Sequence, residues 1–89
     1  MSVTINGERF PTERSTRKHK KLASTLPSGV KVHYGDTLYQ NWGKSKGAKF
    51  LPKVMLHFDE DRRKSYLARH AKTSQKKYSP SFFAKEVLW

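Results

Sequence analysis

The sequence predicts an α+β fold: a small single domain with two short strands, two to three short helices and an extended basic N-terminal arm. Three observations carry this reading. Residues 30–34, Val-Lys-Val-His-Tyr, alternate apolar and polar with the period of a half-buried strand. Two later segments carry clear helix-start chemistry, at Asp59 and at Ser79-Pro80. Residues 14–21, Arg-Ser-Thr-Arg-Lys-His-Lys-Lys, have no hydrophobic periodicity at all. The expected division is therefore 1–29 for an N-terminal hairpin and basic arm, and 30–89 for a compact α+β domain.

Asn6-Gly7 lies between Val3, Ile5 and the run Glu8 to Phe10, and this dipeptide supplies the two positive φ angles of a type I′ hairpin turn. A hairpin this short must pack on something. The arm follows, read either as a solvated tether or as an anion-binding segment. Pro27-Ser28-Gly29 leads into the strand over 30–34, which Gly35-Asp36 closes. Thr37 to Trp42 is expected to form about one and a half helical turns, with Leu38, Tyr39 and Trp42 on one face. Gly43 to Lys49 reads as a basic, Gly-rich loop. Val54, Leu56 and Phe58 alternate again after Pro52, which predicts a second strand paired with 30–34.

Asp59 is a good N-cap, Glu60 and Asp61 stand where the helix dipole favours anions, and Arg69, His70 and Lys72 stand where it favours cations. Glu60 and Lys64 are expected to form an i,i+4 pair. With only Tyr66 and Leu67 large and apolar, this helix must dock against the core. In the last segment Ser79 caps, Pro80 takes the first helical position and Tyr78 is placed to staple to Phe83. Phe82, Phe83, Val87, Leu88 and Trp89 make it the most apolar stretch of the chain. Leu88 and Trp89 are expected to be buried, in the domain or against a partner, so their deletion is expected to destabilise the domain or abolish assembly.

Charge says more about partners than about fold. Nineteen Lys and Arg against seven Asp and Glu give a formal charge of +12 on 89 residues, and a field of that size attracts phosphate-rich or acidic surfaces. Asp59, Glu60 and Asp61 sit together, and no acid occurs from Arg14 to Lys31. With 35% hydrophobic residues the core is thin, burying about two-thirds of the unfolded surface at best. No cysteine is present, which excludes disulfides and thiolate metal sites. No window approaches the roughly 20 apolar residues of a membrane span, and the first residues lack a signal peptide's apolar run; the expectation is a protein that is soluble and intracellular at synthesis.

Tyr34-Gly35, Tyr39 and Trp42, His57-Phe-Asp59, Arg62-Arg63, Tyr66, Arg69-His70 and Leu88-Trp89 together resemble the pattern of a small domain family of unknown function found in tailed phages and large DNA viruses. The resemblance covers about residues 30–89, and its Tyr-x-x-Arg-His and Leu-Trp elements are moderately specific together. It implies a viral source. It transfers no catalytic residue, and residues 1–29 lie outside it.

Enzyme chemistry finds little footing, so no catalytic residue, cofactor or metal ligand is assigned. The four histidines, His19, His33, His57 and His70, are far apart in sequence, without metal-ligand spacing. A His57, Asp59 and His70 site is conceivable, but Asp59 is better used as a cap. Gly43-Lys-Ser-Lys-Gly47 lacks the spacing of a nucleotide-binding P-loop. No serine or threonine has a recognisable base and orienter.

Binding fits better. Anion or partner contacts are assigned to Arg14, Arg17, Lys18, Lys20, Lys21, Lys44, Lys46, Arg62, Arg69 and Lys72; aromatic or apolar contacts to Trp42, Tyr66, Phe82, Phe83 and Trp89. The leading expectation is a non-enzymatic viral protein, a minor capsid-associated or cement component of the virion. Its partners would be larger viral structural proteins and/or nucleic acid, with no small-molecule substrate. The alternatives are a nucleic-acid-binding protein with backbone-led, weakly sequence-specific contacts, in which Tyr39, Trp42, Tyr66 and Tyr78 stack on unpaired bases, or a regulator of a host machine. The same aromatics are wanted by a core this small.

Overall fold

The computed structural model describes residues 1–72 and 76–89. Its main body is a four-stranded antiparallel meander in the order β1-β2-β3-β4: β1 Ser2–Ile5, β2 Glu8–Arg14, β3 Lys20–Thr25 and β4 Lys31–Asp36. This corrects the predicted fold class. The segment expected to be an extended basic arm supplies three of the four strands, and the fold is a sheet with one ten-residue helix and a short C-terminal one.

The first hairpin forms where Asn6-Gly7 predicts it. Ile5 pairs with Glu8, and Asn6 and Gly7 take φ of 51° and 81°. β3 was hidden in the sequence because its interior is Lys21, Leu22, Ala23 and Ser24, all buried although only Leu22 is large and apolar. It lies between two partners, with Leu22 opposite Arg14 on one side and Tyr34 on the other. Hydroxyls stand in for apolar packing across these strands. Thr12 Oγ1 and Ser24 Oγ are 2.8 Å apart, and Ser24 Oγ and Tyr34 Oη are 2.8 Å apart. Thr12 Oγ1 donates to the Phe10 carbonyl at 3.0 Å, so Ser24 donates to Thr12 and Tyr34 to Ser24, and every hydroxyl of the buried line has a partner. Burial nevertheless pushes the Tyr34 phenol up to about 12.

Two other expectations are corrected. Thr37 to Trp42 is not helical: Asp36 Oδ1 accepts the Leu38 N–H at 2.9 Å, an Asx turn that competes with helix formation. Leu38 and Tyr39 are exposed, and the chain then enters β5, Asn41–Trp42. The strand expected around Val54 shrinks to β6, Leu56–His57, which pairs in parallel with β5 and not with residues 30–34. Pro52 instead opens a 3-10 turn over Lys53–Met55, and Val54 and Phe58 point to solvent.

α1 spans Glu60–Arg69 with Asp59 as its cap, accepting the N–H groups of Asp61 and Arg62 at 3.0 and 3.3 Å. Glu60 and Lys64 do not form the expected ion pair. α2, Pro80–Phe83, starts at Ser79, whose Oγ accepts the Phe82 N–H at 3.1 Å, and continues into a π-helical turn over Ala84–Leu88. Phe83 is the pivot of the core. Its ring lies 5.3 Å from Tyr34, stacked, and 5.2 Å from Phe10, edge-on, while Tyr78 stacks on it at 6.5 Å as the staple predicts. Val3, Ile5, Leu22, Phe50, Leu51, Val87 and Leu88 complete the cluster. Phe83 is thus fully buried within the domain and is not available as a partner contact. Among the described residues no helix is long and apolar enough to cross a membrane.

Gly35 sits where the sheet meets the C-terminal segment. Its φ is +82°, and a Cβ there would stand 2.6 Å from Leu88 Cδ1 and 3.2 Å from Lys21 Cβ. Gly29 also has positive φ, +91°, but open space around it. Gly29→Ala is expected to lower the unfolding free energy by about 1 kcal/mol through backbone strain alone. Gly35→Ala adds a core clash and is expected to lower it by about 3 kcal/mol. Urea denaturation of both variants measures the difference; equal effects would mean that the Leu88 approach is not tight.

Candidate functional site

A cleft of about 780 Å³ opens between the end of β4, the β4–β5 connection, α1 and the C-terminal segment. Its rim carries Lys20, Arg62 and Arg69, its lining includes the rings of Tyr39, Tyr66 and Trp89, and Asp36 and Asp61 are its acids. The Thr37 N–H donates to the His19 carbonyl at 3.1 Å, which brings the tip of the β2–β3 hairpin alongside. That tip exposes Arg17, Lys18, His19 and Lys20. The segment expected to be a free arm is a basic hairpin paired into the sheet beside the cleft.

One aromatic column forms the site's wall. Trp89 stacks on Tyr66 with centroids 4.2 Å apart and planes 8° from parallel, and His70 lies 4.3 Å from Tyr66. His57 lies 5.1 Å from Trp89 and 6.0 Å from Trp42. Arg63 ties the column together: its Nε donates to the Trp89 carbonyl oxygen at 3.1 Å, and its guanidinium lies 5.6 Å from the Trp42 ring centre. Packing of this kind stabilises by area burial plus ring geometry. It also engages the rings with one another, although Tyr66 and Trp89 keep part of their surface in the cleft. Trp42 is buried, Tyr66 is engaged by both Trp89 and His70, and burial pushes its phenol up. Trp42, Tyr66 and Trp89, assigned from sequence as contact residues, hold the domain together. Phe82 packs half-buried against the core. Tyr39, 65% exposed, keeps a free face within the cleft.

The basic residues divide as well. Arg14, Arg17, Lys18, Lys20, Arg62, Arg69 and Lys72 are exposed. Arg14 Nε donates to the Lys21 carbonyl at 3.3 Å and Arg62 Nη1 to Gln40 Oε1 at 3.0 Å. Lys44 and Lys46 are exposed on the loop after β5, away from the cleft lining. Lys21 is the exception: its side chain is fully buried, with Nζ donating to the Tyr39 carbonyl and to Asn41 Oδ1. It cannot reach an external anion, and its role is to anchor the β4–β5 connection that carries Tyr39. Sequence offers no sign of this, because burial of a lysine depends on acceptors contributed from about twenty residues further along.

Asp59 serves as cap, and its own N–H donates to His57 Nδ1 at 3.2 Å. Burial and the nearby Arg62 hold the His57 imidazolium pKa below its usual value. Among the described residues no group of three His, Cys, Asp or Glu is placed to hold a metal ion. Compared with family models, with curated proteins and with solved structures, the chain matches none. Tyr34 and Gly35 lie under the C-terminal segment, and Trp42, His57, Arg63, Tyr66, His70 and Trp89 converge in one column.

Burial pushes the Lys21 ammonium down to about 8 from 10.5, opposed by Asp36 and aided by Arg14. Below pH 8 the amine is charged in both folded and unfolded chains, and folding carries the desolvation penalty. Between pH 8 and 10.5 folding releases a proton, so this group's contribution to stability rises with pH and levels off above 10.5. The full rise is on the order of 3 kcal/mol. Lys21→Met removes it. The unfolding free energy of the wild type minus that of the variant is expected to climb across this window, a difference in which other titrating groups such as Tyr34 cancel. A flat difference would contradict the assignment.

Proposed function

We propose that the protein is a non-catalytic nucleic-acid-binding module that holds a strand across the basic hairpin and the cleft. The observation that supports this most is the state of its cations. Among the described residues Lys31 is the only Lys or Arg in an ion pair, with Glu13. Lys20, Arg62 and Arg69 ring a cleft that presents the free face of Tyr39. Phosphates would meet the cations, which carry most of the affinity of such proteins, and an unpaired base would stack on Tyr39. Arg62 retains donors beyond the one it gives to Gln40. The contacts available are to phosphate and ring face, which favours backbone-led, weakly sequence-specific binding.

The reading as a minor virion component bound to acidic protein surfaces drew on a free arm and a free apolar terminus. Both are built into the fold, so that reading keeps its charge argument and the viral resemblance. A viral source and a place with packaged genome are compatible with the nucleic-acid proposal and rest on the resemblance alone.

Fluorescence anisotropy with labelled single- and double-stranded DNA and RNA across a salt series tests the proposal. Log affinity is expected to fall linearly with log salt. Replacing Arg62 and Arg69 by Gln should reduce the single-strand slope by roughly 1.4, about 0.7 for each phosphate that is no longer neutralised. Affinity that ignores salt, or a double variant that binds like the wild type, would reject it. Tyr39→Ala is expected to weaken single-strand binding by about 1 to 3 kcal/mol and duplex binding much less; equal weakening on both would remove stacking from the account.

A further inference from the structure

A second pocket, of about 330 Å³, shares Trp89 with the cleft and is otherwise built from different residues. Four cationic side chains line it: Lys44 and Lys46 from the loop after β5, Arg63 from α1 and Lys85 from the π-helical turn. Glu86 is the one acid in its lining. Three segments distant in sequence thus bring like charges to one small concavity. None of the four cations is in an ion pair among the described residues, and repulsion between them is unfavourable until an anion enters.

The loop that carries two of these lysines is held in place. The Ser45 N–H donates to the Trp42 carbonyl at 3.1 Å and the Gly47 N–H to the Val87 carbonyl at 2.7 Å. A Cβ on Gly47 would meet Val87 Cγ1 at 2.7 Å, so only glycine allows this approach to the C-terminal turn. Arg63 is fixed through Nε by the Trp89 carbonyl oxygen and through its plane by Trp42. This leaves the Nη groups as oriented donors. Ser45 lines the pocket, and its hydroxyl is buried without a hydrogen-bond partner. Buried hydroxyls are normally satisfied, and one left over beside converging cations suits a ligand that brings acceptors.

From these observations we infer that the pocket is a phosphate site, taking a phosphate monoester group or inorganic phosphate. Lys44, Lys46 and Lys85 supply charge, Arg63 Nη groups donate to the terminal phosphate oxygens, and the Ser45 hydroxyl turns outward to donate one more bond. The mode differs from a P-loop. Gly43-Lys-Ser-Lys-Gly47 follows a two-residue strand and leads into a 3-10 turn, Ala48–Phe50, so side-chain charge does the holding and not a helix N-terminus.

Amide NMR of the full chain, titrated at constant ionic strength with inorganic phosphate, with a 5′-phosphorylated dinucleotide and with its 5′-hydroxyl counterpart, tests this. The two phosphate-monoester-type ligands are expected to give saturable shifts at residues 44–47 and 85. Lys44→Gln and Lys46→Gln, on exposed positions, should each weaken binding roughly threefold to fivefold, and Glu86→Gln should tighten it by a similar factor. Lys53→Gln, exposed and outside both linings, should leave it unchanged. Shifts that do not saturate, shifts spread equally over the hairpin lysines, or equal response to the 5′-hydroxyl dinucleotide would overturn the assignment. No step depends on strand binding at the cleft, so this site stands or falls separately from the proposed function.

Discussion

α1 has ten residues and none of them is buried, so the helix cannot be held by a conventional apolar face. What holds it is the stacking of Tyr66 on Trp89, backed by Arg63 reaching the Trp89 carbonyl oxygen and the Trp42 ring. Trp89 in turn rests against His57, which connects it to the β5–β6 pair. Three segments are thus joined through one indole. Both concavities depend on this joint, since Arg62 and Arg69 on one and Arg63 on the other come from the helix that it fixes.

The second support is the sheet, and it uses polar groups where a larger protein would use apolar ones. Thr12, Ser24 and Tyr34 exchange hydroxyl bonds in the interior, and Lys21 lies buried with its amine on two acceptors. A buried ammonium weakens a small domain near neutral pH, and unneutralised surface charge adds self-repulsion. The proposed polyanion binding would relieve the surface term and stabilise the folded state by mass action.

Legibility from sequence followed locality. Asn6-Gly7, Asp59 and Ser79-Pro80 were readable because turn and cap chemistry is decided within a few residues. β3 was not, because Lys-Lys-Leu-Ala-Ser-Thr hides its burial behind short and charged side chains, and a central strand needs both neighbours to be recognised. The alternation of Val54, Leu56 and Phe58 misled in the opposite sense, since Val54 and Phe58 are exposed. For the site, the charges of Lys20, Arg62 and Arg69 were legible while their convergence was not. Lys21 had the right residue type and the wrong environment. The aromatic residues singled out for contact with a partner were in the right neighbourhood, but the rings face one another.

Hydrogen exchange of the Trp89→Ala variant, resolved by segment and compared with the wild type, addresses the joint directly. If stacking on Trp89 is what holds α1, amides of residues 60–69 lose their protection while those of β2, β3 and β4 keep theirs. Protection of α1 retained in the variant, or lost uniformly across helix and sheet, would contradict the account.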